Sequence, residues 1–463
     1  MLVCMAGSFL TPFSSSALNL AIPAIGRELG AVAVTLSWVV TSFLLASASL
    51  LLPAGRLADI VGRKRVFIAG VGLYSAASLA CGLVRTAEAL IAARVVQGVG
   101  AAMIFATSLA IVTSVFPASA RGRVLGISVT AVYVGLSVGP FVGGVLTQAV
   151  GWRAIFLLTA GLGVACALLP AMFLRGDWVG AAGESFDWAG AGLIAAGLVA
   201  ALHGISSLST SRLAPGVLAL GVALLGLFLL WETRAPAPLL DLRIVTGNVT
   251  FALSNLAALI NYSATFAVTF LLSLHLQVVR GLDARHAGAV LLVQPVMMAL
   301  LSPWAGRLSD RHEPRVVASL GMALSAAGLL VLWALSARAP IAAMMAALAI
   351  VGTGFALFSS PNSNAVMGAV SRAQYGVAAA VLSSMRLIGQ ALSMAVVTLI
   401  LGARVGGARL DATVVPQLLA SERLAFALFT ALCVLGVFAS LARGRVHAGL
   451  GPASAGGYTP GPR

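Results

Sequence analysis

Long apolar runs, each closed by a short cluster of glycine, proline or charged residues, divide the sequence into fourteen segments. They are Leu2–Ile22, Leu36–Leu52, Val66–Leu83, Ala87–Val115, Val124–Ala149, Ala154–Leu174, Trp188–Ser207, Ala214–Trp231, Val249–Val279, His286–Trp304, Val316–Ala337, Ile341–Ser359, Gly376–Leu401 and Leu424–Leu441. A helix needs about 20 apolar residues to cross hydrocarbon, and the segments cluster around that length. The pattern therefore predicts an all-α polytopic membrane protein with fourteen transmembrane helices. Met1 leads straight into apolar sequence, with no basic n-region and no convincing cleavage site, so the first segment reads as a retained span and not a signal peptide. The end of the chain, RGRVHAGLGPASAGGYTPGPR, is polar and rich in glycine and proline and reads as a disordered tail.

Composition narrows the class further. Of the 463 residues, 60% are apolar and only 9% charged, and the mean hydropathy is +1.04. Soluble domains carry roughly 25% charged residues, so this chain cannot cover a water-facing surface. A secreted disulfide scaffold, a disordered chain and an ordinary cytosolic enzyme are excluded. Glycine, at 50 residues, suits closely packed membrane helices. Cys4, Cys81, Cys166 and Cys433 lie in apolar surroundings without a metal-ligand spacing and read as packing residues. The net charge of +15 comes from scattered residues and forms no nucleic-acid groove; it reads as topology signal and attraction to anionic lipid.

Fourteen spans put both termini on one side. Sixteen basic residues, including the cluster Arg63–Arg65, fall on that side and ten on the other. The bias places both termini in the cytoplasm, with the protein in the plasma membrane. GRLAD at Gly55–Asp59 recurs as GRLSD at Gly306–Asp310, each after an apolar span carrying a proline, Pro53 or Pro303. Such an echo points to a duplicated half, a frequent construction among secondary transporters. The division that follows is a six-span bundle over 1–174, a linker with two extra spans over 175–243, a second six-span bundle over 244–441 and a cytoplasmic tail over 442–463.

Longer motifs sharpen the picture. GRLADIVGRKRV (Gly55–Val66), RVVQGVGAA (Arg94–Ala102), GLSVGPFVGG (Gly135–Gly144), GWRAIF (Gly151–Phe156) and LSPWAGRLSDR (Leu301–Arg311) together resemble the major facilitator superfamily. Within it the chain is similar to the fourteen-span drug:proton antiporters. The resemblance implies two six-helix bundles around a central cavity, alternating access and monomeric operation. It also implies a conformational latch at Gly55, Arg56, Asp59, Gly62 and Arg63, with Gly306, Arg307 and Asp310 as the second-half counterpart. Gly55 and Gly62 are expected in a tight turn. The ordinary alternative for Asp59 is a solvated loop acid.

Other candidates come from side-chain chemistry. Arg94 is a cation inside a predicted span, where an unpaired charge is costly, and it shares a helix face with Gln97. The resemblance links this arginine to proton coupling or polarisation of a substrate site; snorkelling to the interface is the other reading. Arg386 and Gln390 repeat the arrangement. Thr11, Ser15 and Asn19 form one polar stripe, and Asn261, Thr265 and Thr269 another. They read as cavity lining or as helix–helix hydrogen bonds. Phe266, Phe270 and Met297 supply an apolar wall or packing, and Asn362 and Asn364 cap or hydrate one helix end. Gly135, Gly139 and Gly143 recur every four residues beside Pro140, which sets up a close helix contact that changes during gating.

The family pattern carries an acid early in the first span, where this chain has Ser14 in FSSSALNLAIP. None of the thirteen acidic residues falls at the middle of a predicted span; Glu88 opens one and Glu232 closes another. His275, within the ninth span, is a side chain whose ordinary titration range lies near neutral pH. The departure argues against strongly dicationic substrates and leaves the proton carrier open among His275, a boundary acid and the substrate itself. No phosphate-binding GxxxxGK[ST] sequence and no nucleophile constellation are present, so the expectation is a non-enzyme without a cofactor or metal. Its expected partners are a small organic substrate, protons and membrane lipids. The expected function is secondary active export of small amphipathic compounds, a drug or a metabolite, by proton antiport. An uncoupled or other-ion-coupled facilitator, or a membrane sensor on the same scaffold, stays open.

Overall fold

The computed structural model describes residues 2–115, 118–173, 176–181, 183–371, 374–410 and 412–444, without the side chains of 2–4, 109, 112–114, 118–130, 169–171, 173 and 412. Residues 445–463 of the expected tail lie outside the described residues. The helices are α1 (Leu2–Leu29), α2 (Ala33–Val61), α3 (Arg63–Leu83), α4 (Ala87–Val115), α5 (Ala118–Ala149), α6 (Arg153–Phe173), α7 (Trp188–Ser207), α8 (Ala214–Glu232) and a single turn α9 (Arg243–Thr246). They continue as α10 (Val249–Thr265), α11 (Val268–Leu274) with a π-helical turn His275–Val279, α12 (Ala284–Leu291), α13 (Val293–Arg311), α14 (Pro314–Ala334), α15 (Ile341–Gly368), α16 (Tyr375–Arg404) and α17 (Val415–Ala442).

Among the described residues twelve stretches are long and apolar enough to cross a membrane, where hydropathy along the chain predicts fourteen. Outside those twelve are α1, whose apolarity is diluted by Thr11, Ser14, Ser15, Ser16 and Asn19, and α6, a 21-residue apolar helix whose side chains are described continuously only over Arg153–Leu168. Outward faces remain apolar, for example Leu157, Val164 and Leu168 on α6 and Leu220, Val222 and Leu230 on α8. That is the surface expected where lipid is the solvent.

Several helices outrun the apolar segments that predict them. α2 continues past Leu52 to Val61, α13 past Trp304 to Arg311, and α17 begins at Val415 instead of Leu424. Hydropathy sees the hydrocarbon depth, whereas backbone hydrogen bonding continues into the polar interface. GRLAD and GRLSD are therefore the last turns of helices. Gly55 is helical and faces Ala106 of α4, so it makes no turn. Gly62, at φ +123°, makes the turn alone. The long segment Val249–Val279 is interrupted at Phe266–Ala267 and ends in the π-helical turn.

Helices α1–α6 pack among themselves, as do α10–α17. The groups meet where α1 touches α11, α5 touches α12 and α13, and α2 touches α16. The α7–α8 hairpin lies against α2 and α16, with Ile194, Leu198 and Phe228 packed on Leu52 and Ile388. One end of the helix array carries the GRLAD and GRLSD motifs and is called here the motif end; the other is the far end. At the far end the groups are joined by backbone: Ala33 N–H donates to Ala408 O at 3.2 Å, and Val32 bridges Arg409.

The glycines of α5 bring it into backbone contact with both groups. A Cβ on Gly143 would stand 2.6 Å from Ala17 Cα of α1, and one on Gly139 would overlap Ser16. On another face, a Cβ on Gly144 would meet Ala284 O at 2.3 Å, while Pro140 O lies where a Cβ on Gly288 would come, at 2.5 Å. Gly143→Ala should therefore lower the thermal unfolding midpoint of detergent-purified protein, by an overpacking cost of about 1–3 kcal/mol. Gly72→Ala, where a Cβ meets nothing within 4 Å, should leave it unchanged or slightly raised.

Candidate functional site

At the motif end, the positive φ of Gly62 reverses the chain between α2 and α3 and leaves no room for a side chain, since a Cβ there would sit 2.3 Å from Asp177 Oδ2. Asp177 receives the Lys64 N–H at 2.8 Å and lies 3.5 Å from Arg65 Nε. Arg63 Nε donates to Asp59 Oδ1 at 2.8 Å, and Arg63 Nη1 reaches Ala110 O of α4 at 3.1 Å. The backbone N–H groups of Gly180 and Ala181 donate to Asp59 O, and Arg56 pairs with Glu184. The expected latch residues are thus tied to α3, α4 and the strap that follows α6. Asp177 and Glu184 were not anticipated from sequence. In the second half Arg307 and Asp310 are exposed on the last turns of α13, and no ion pair to either is found among the described residues. Gly306 faces Ser360, and Ser309 Oγ receives Asn364 Nδ2 at 2.6 Å.

Arg94 is fully buried within the first group and does not snorkel. Its Nε donates to Val39 O of α2 at 3.0 Å and its Nη1 to Gln97 Oε1 at 2.5 Å, while the guanidinium carbon lies 4.1 Å from the centre of the Phe43 ring. Gln97 Nε2 passes the chain on to Ser78 Oγ of α3 at 2.7 Å. These bonds tie α2, α3 and α4 together. Arg94 Nη2 and Thr11 Oγ1 are buried with no hydrogen-bond partner among the described residues. Asn362, expected to cap a helix end, instead lies inside α15; its Nδ2 donates to Ser254 O and its Oδ1 accepts from the buried Arg443.

Between the two groups a different cluster forms. Arg386 of α16 is partly exposed, 5.3 Å from the centre of the Phe105 ring on α4. The Tyr133 hydroxyl lies 3.0 Å from Ser359 Oγ of α15. Tyr133 packs with Met298 and Phe355, and Phe355 meets Tyr262 edge to face at 5.2 Å. Gln390 lies one turn on from Arg386, also partly exposed. From sequence only Arg386 and Gln390 were candidates here; the aromatic partners are scattered over four helices with no shared spacing.

The polar stripes divide. Asn19, Thr11, Asn261 and Thr265 are buried, whereas Ser15 and Thr269 are partly exposed. Asn19 O accepts from Ser273 Oγ of α11 at 2.5 Å, so the first stripe touches the second group. Thr265 Oγ1 donates back to Asn261 O, while both side-chain polar atoms of Asn261 lack partners. His275 opens the π-helical turn and points at α17, where its Nδ1 lies 2.7 Å from Glu422 Oε2. Sequence reasoning missed Glu422 because the last apolar segment was begun at Leu424. Pro416, a first-turn residue of α17, was the available start signal.

A family model described as Major Facilitator Superfamily matches residues 4–230 and 254–458. The chain belongs to the Major Facilitator Superfamily. This facilitator is 30% identical over 394 residues to "Riboflavin transporter RibZ" of Clostridioides difficile (strain 630), covering 85% of this chain and 86% of that protein. It is 32% identical over 421 residues to "Cephamycin export protein CmcT" of Amycolatopsis lactamdurans, covering 88% and 85%. In fold it is similar to the crystal structure of a bacterial homolog to human lysosomal transporter Spinster, in an inward-facing and unoccupied conformation, with a TM-score of 0.69, 15% identity and 95% of each chain covered. The facilitator is therefore a multi-pass membrane transporter, and some of its relatives export antibiotics.

The motif-end geometry makes two substitutions informative. Asp59→Asn removes the charge assistance to Arg63 and should reduce initial transport rates by about tenfold at matched membrane abundance. Asp310→Asn should do less, since the structure gives Asp310 no ion pair among the described residues. Equal rates for Asp59→Asn and the parent would remove Asp59 from the transport cycle.

Proposed function

We propose that this facilitator exports small amphipathic organic compounds from the cytoplasm in exchange for protons, by alternating access. The observation that carries the reading is Arg386, a partly exposed cation of the second group whose guanidinium lies over the Phe105 ring of the first. A lone cation at this depth is costly unless it faces protein, water or a ligand. Aromatic faces beside it suit a compound with a flat apolar body and a polar or anionic edge. Its relatives include a riboflavin transporter and a cephamycin export protein. Export direction rests on the resemblance to antibiotic exporters, and proton coupling on the likeness to drug:proton antiporters.

In this reading the chain crosses the plasma membrane fourteen times, α1 and α6 joining the twelve more apolar stretches. Helices α1–α6 and α10–α17 form the two bundles, α7–α8 is an added hairpin, and the protein works as a monomer. Both termini and the Arg63–Arg65 cluster are cytoplasmic, so the motif end faces the cytoplasm. The bonds joining the groups at the far end then seal the outer side, and the conformation is open inward.

Two measurements test this. A cysteine at Lys64, in a background without the four native cysteines, should react with an impermeant thiol reagent only after the cells are opened; reaction in intact cells would invert the topology. In proteoliposomes, substrate flux and lumenal pH are followed together for a panel containing riboflavin and a cephamycin. Proton movement opposite to substrate is expected, and Arg386→Gln should raise the half-saturating concentration by about tenfold. Flux that follows only the substrate gradient, without proton movement, would establish a facilitator in place of an antiporter.

A further inference from the structure

His275 and Glu422 form a buried acid–base pair inside the second helix group, away from the Arg386 cluster. They are 5% and 4% exposed, and their Nδ1 and Oε2 atoms lie 2.7 Å apart. Neither residue is saturated among the described residues: His275 Nε2 and Glu422 Oε1 are both buried without a hydrogen-bond partner there. Beside them is a cavity of about 20 Å³, lined by Leu272, Leu332, Leu335, Met344, Leu419 and Phe426, enough for roughly one water molecule. Its wall includes Arg423, which also lines a larger groove of about 510 Å³ with Arg404 and Trp333 at the far end. The pair therefore sits one apolar layer below a groove bordered by two arginines.

The backbone under His275 is unusual in the same place. Residues His275–Val279 form a π-helical turn, a local distortion that recurs at functional sites. One side of this stretch carries His275 toward α17. The other holds the first group: Ser273 Oγ donates to Asn19 O at 2.5 Å, and Gln277 Nε2 donates to Leu20 O at 3.1 Å and to Ser273 Oγ at 3.0 Å. Two of the far-end bonds between the groups thus spring from residues flanking the histidine.

We propose that His275 and Glu422 together form a proton-binding site reached from the far end, and that the π-helical turn transmits its loading to the seal between α1 and α11. This rests on the reading of the chain as a proton-coupled exporter with the far end outside. The site exchanges one proton. Loaded, the pair shares a single proton between imidazole and carboxylate and is net neutral. Unloaded, Glu422 is an anion beside a neutral imidazole. A net charge is far costlier in an apolar interior than a neutral, hydrogen-bonded pair, so the unloaded site draws water and loosens its surroundings. The sealed arrangement is the loaded one. Proton uptake from the outer side after substrate release then closes the seal, and each turnover is completed when the proton leaves toward the motif end while that end is open.

Other charges near the pair are few. Within α17 the neighbour is Arg423; α16 contributes Arg404 at the groove and Arg386 deeper in the membrane. α14 carries only Arg315, at the opposite end, α15 carries no titratable residue, and α10 carries only Tyr262. Arg280, after the π-helical turn, donates to Ala337 O and Ala339 O. Glu28 of α1 is engaged by Arg153 and Trp152, Arg27 stands beside it in the sequence, and near α12 His286 lies 2.8 Å from Asp283, next to Arg285. No second acid lines the small cavity or the groove. The pH response of the seal should accordingly follow this pair.

The test reads the seal directly. A cysteine replaces Ala21, buried in α1 beside Leu20, in the cysteine-free background, and modification by an impermeant thiol reagent is followed on right-side-out vesicles across pH 5 to 9. Each rate is divided by that of the same cysteine in denatured protein at the same pH, which removes the ordinary rise of the thiolate with pH; the quotient should be small at low pH and at least about tenfold larger at high pH. Glu422→Gln, which resembles the protonated acid, should label slowly at every pH, and His275→Gln should lose most of the pH dependence. The exchanged pair His275→Glu/Glu422→His should recover it, which separates proton binding from a folding defect. A pH response that persists unchanged in Glu422→Gln, or an exchanged pair that stays unresponsive while folding normally, would overturn the proposal. Because labelling needs no substrate, a seal that responds to pH in a chain that moves no protons with substrate would reject antiport and leave the gate in place.

Discussion

The contact of α5 with α1 on one side and α12 on the other is the constraint on which the closed end depends. Hydrocarbon offers helices no hydrophobic reason to associate, so association relies on close packing and on polar groups that find partners in protein. Gly139 and Gly143 let the backbone of α5 reach that of α1, and Gly144 and Gly288 let α5 and α12 meet with almost no side chain between them. Only at such short range do the bonds of Asn19, Leu20, Ser273 and Gln277 form next door. A methyl group in this contact would separate the helices by more than a hydrogen bond can stretch.

The remaining charge placements follow the same economy of partners. Arg94 is enclosed by a carbonyl, an amide and a ring, and so cross-links three helices of one group. Arg443 does the corresponding service at the other end of the second group, bonding Ser254, Asn362 and Ser440. Arg386 differs in being partly exposed and in reaching from the second group to the Phe105 ring of the first. Two arginines are thus braces within one group, while the third is partly exposed where the two groups face each other.

Much of the architecture was legible in the sequence because the signals are local. Apolar runs mark helices, the four-residue glycine spacing marks a helix contact, and Gly62 marks a reversal that needs positive φ. What stayed hidden was of two kinds. Helix ends in the polar interface carry no hydropathy signal, which concealed the true start of α17 and with it Glu422. Clusters assembled across helices, such as Tyr133 with Phe355 and Arg386 with Phe105, have no common spacing and exist only once the chain is folded. His275 was singled out for its titration range alone, while its partner lies 147 residues away.

The α7–α8 hairpin adds a mechanical consequence. It leans on α2 of one group and α16 of the other through Ile194, Leu198, Phe228, Leu52 and Ile388, all of them apolar. Apolar contact is non-directional, so it does not lock two surfaces into one register as a hydrogen bond would. Ser209 Oγ, at the turn of the hairpin, donates to Leu399 O of α16 at 3.2 Å, so the hairpin is pinned to the second group and leans on α2 through apolar contact, a greased bearing on that side alone.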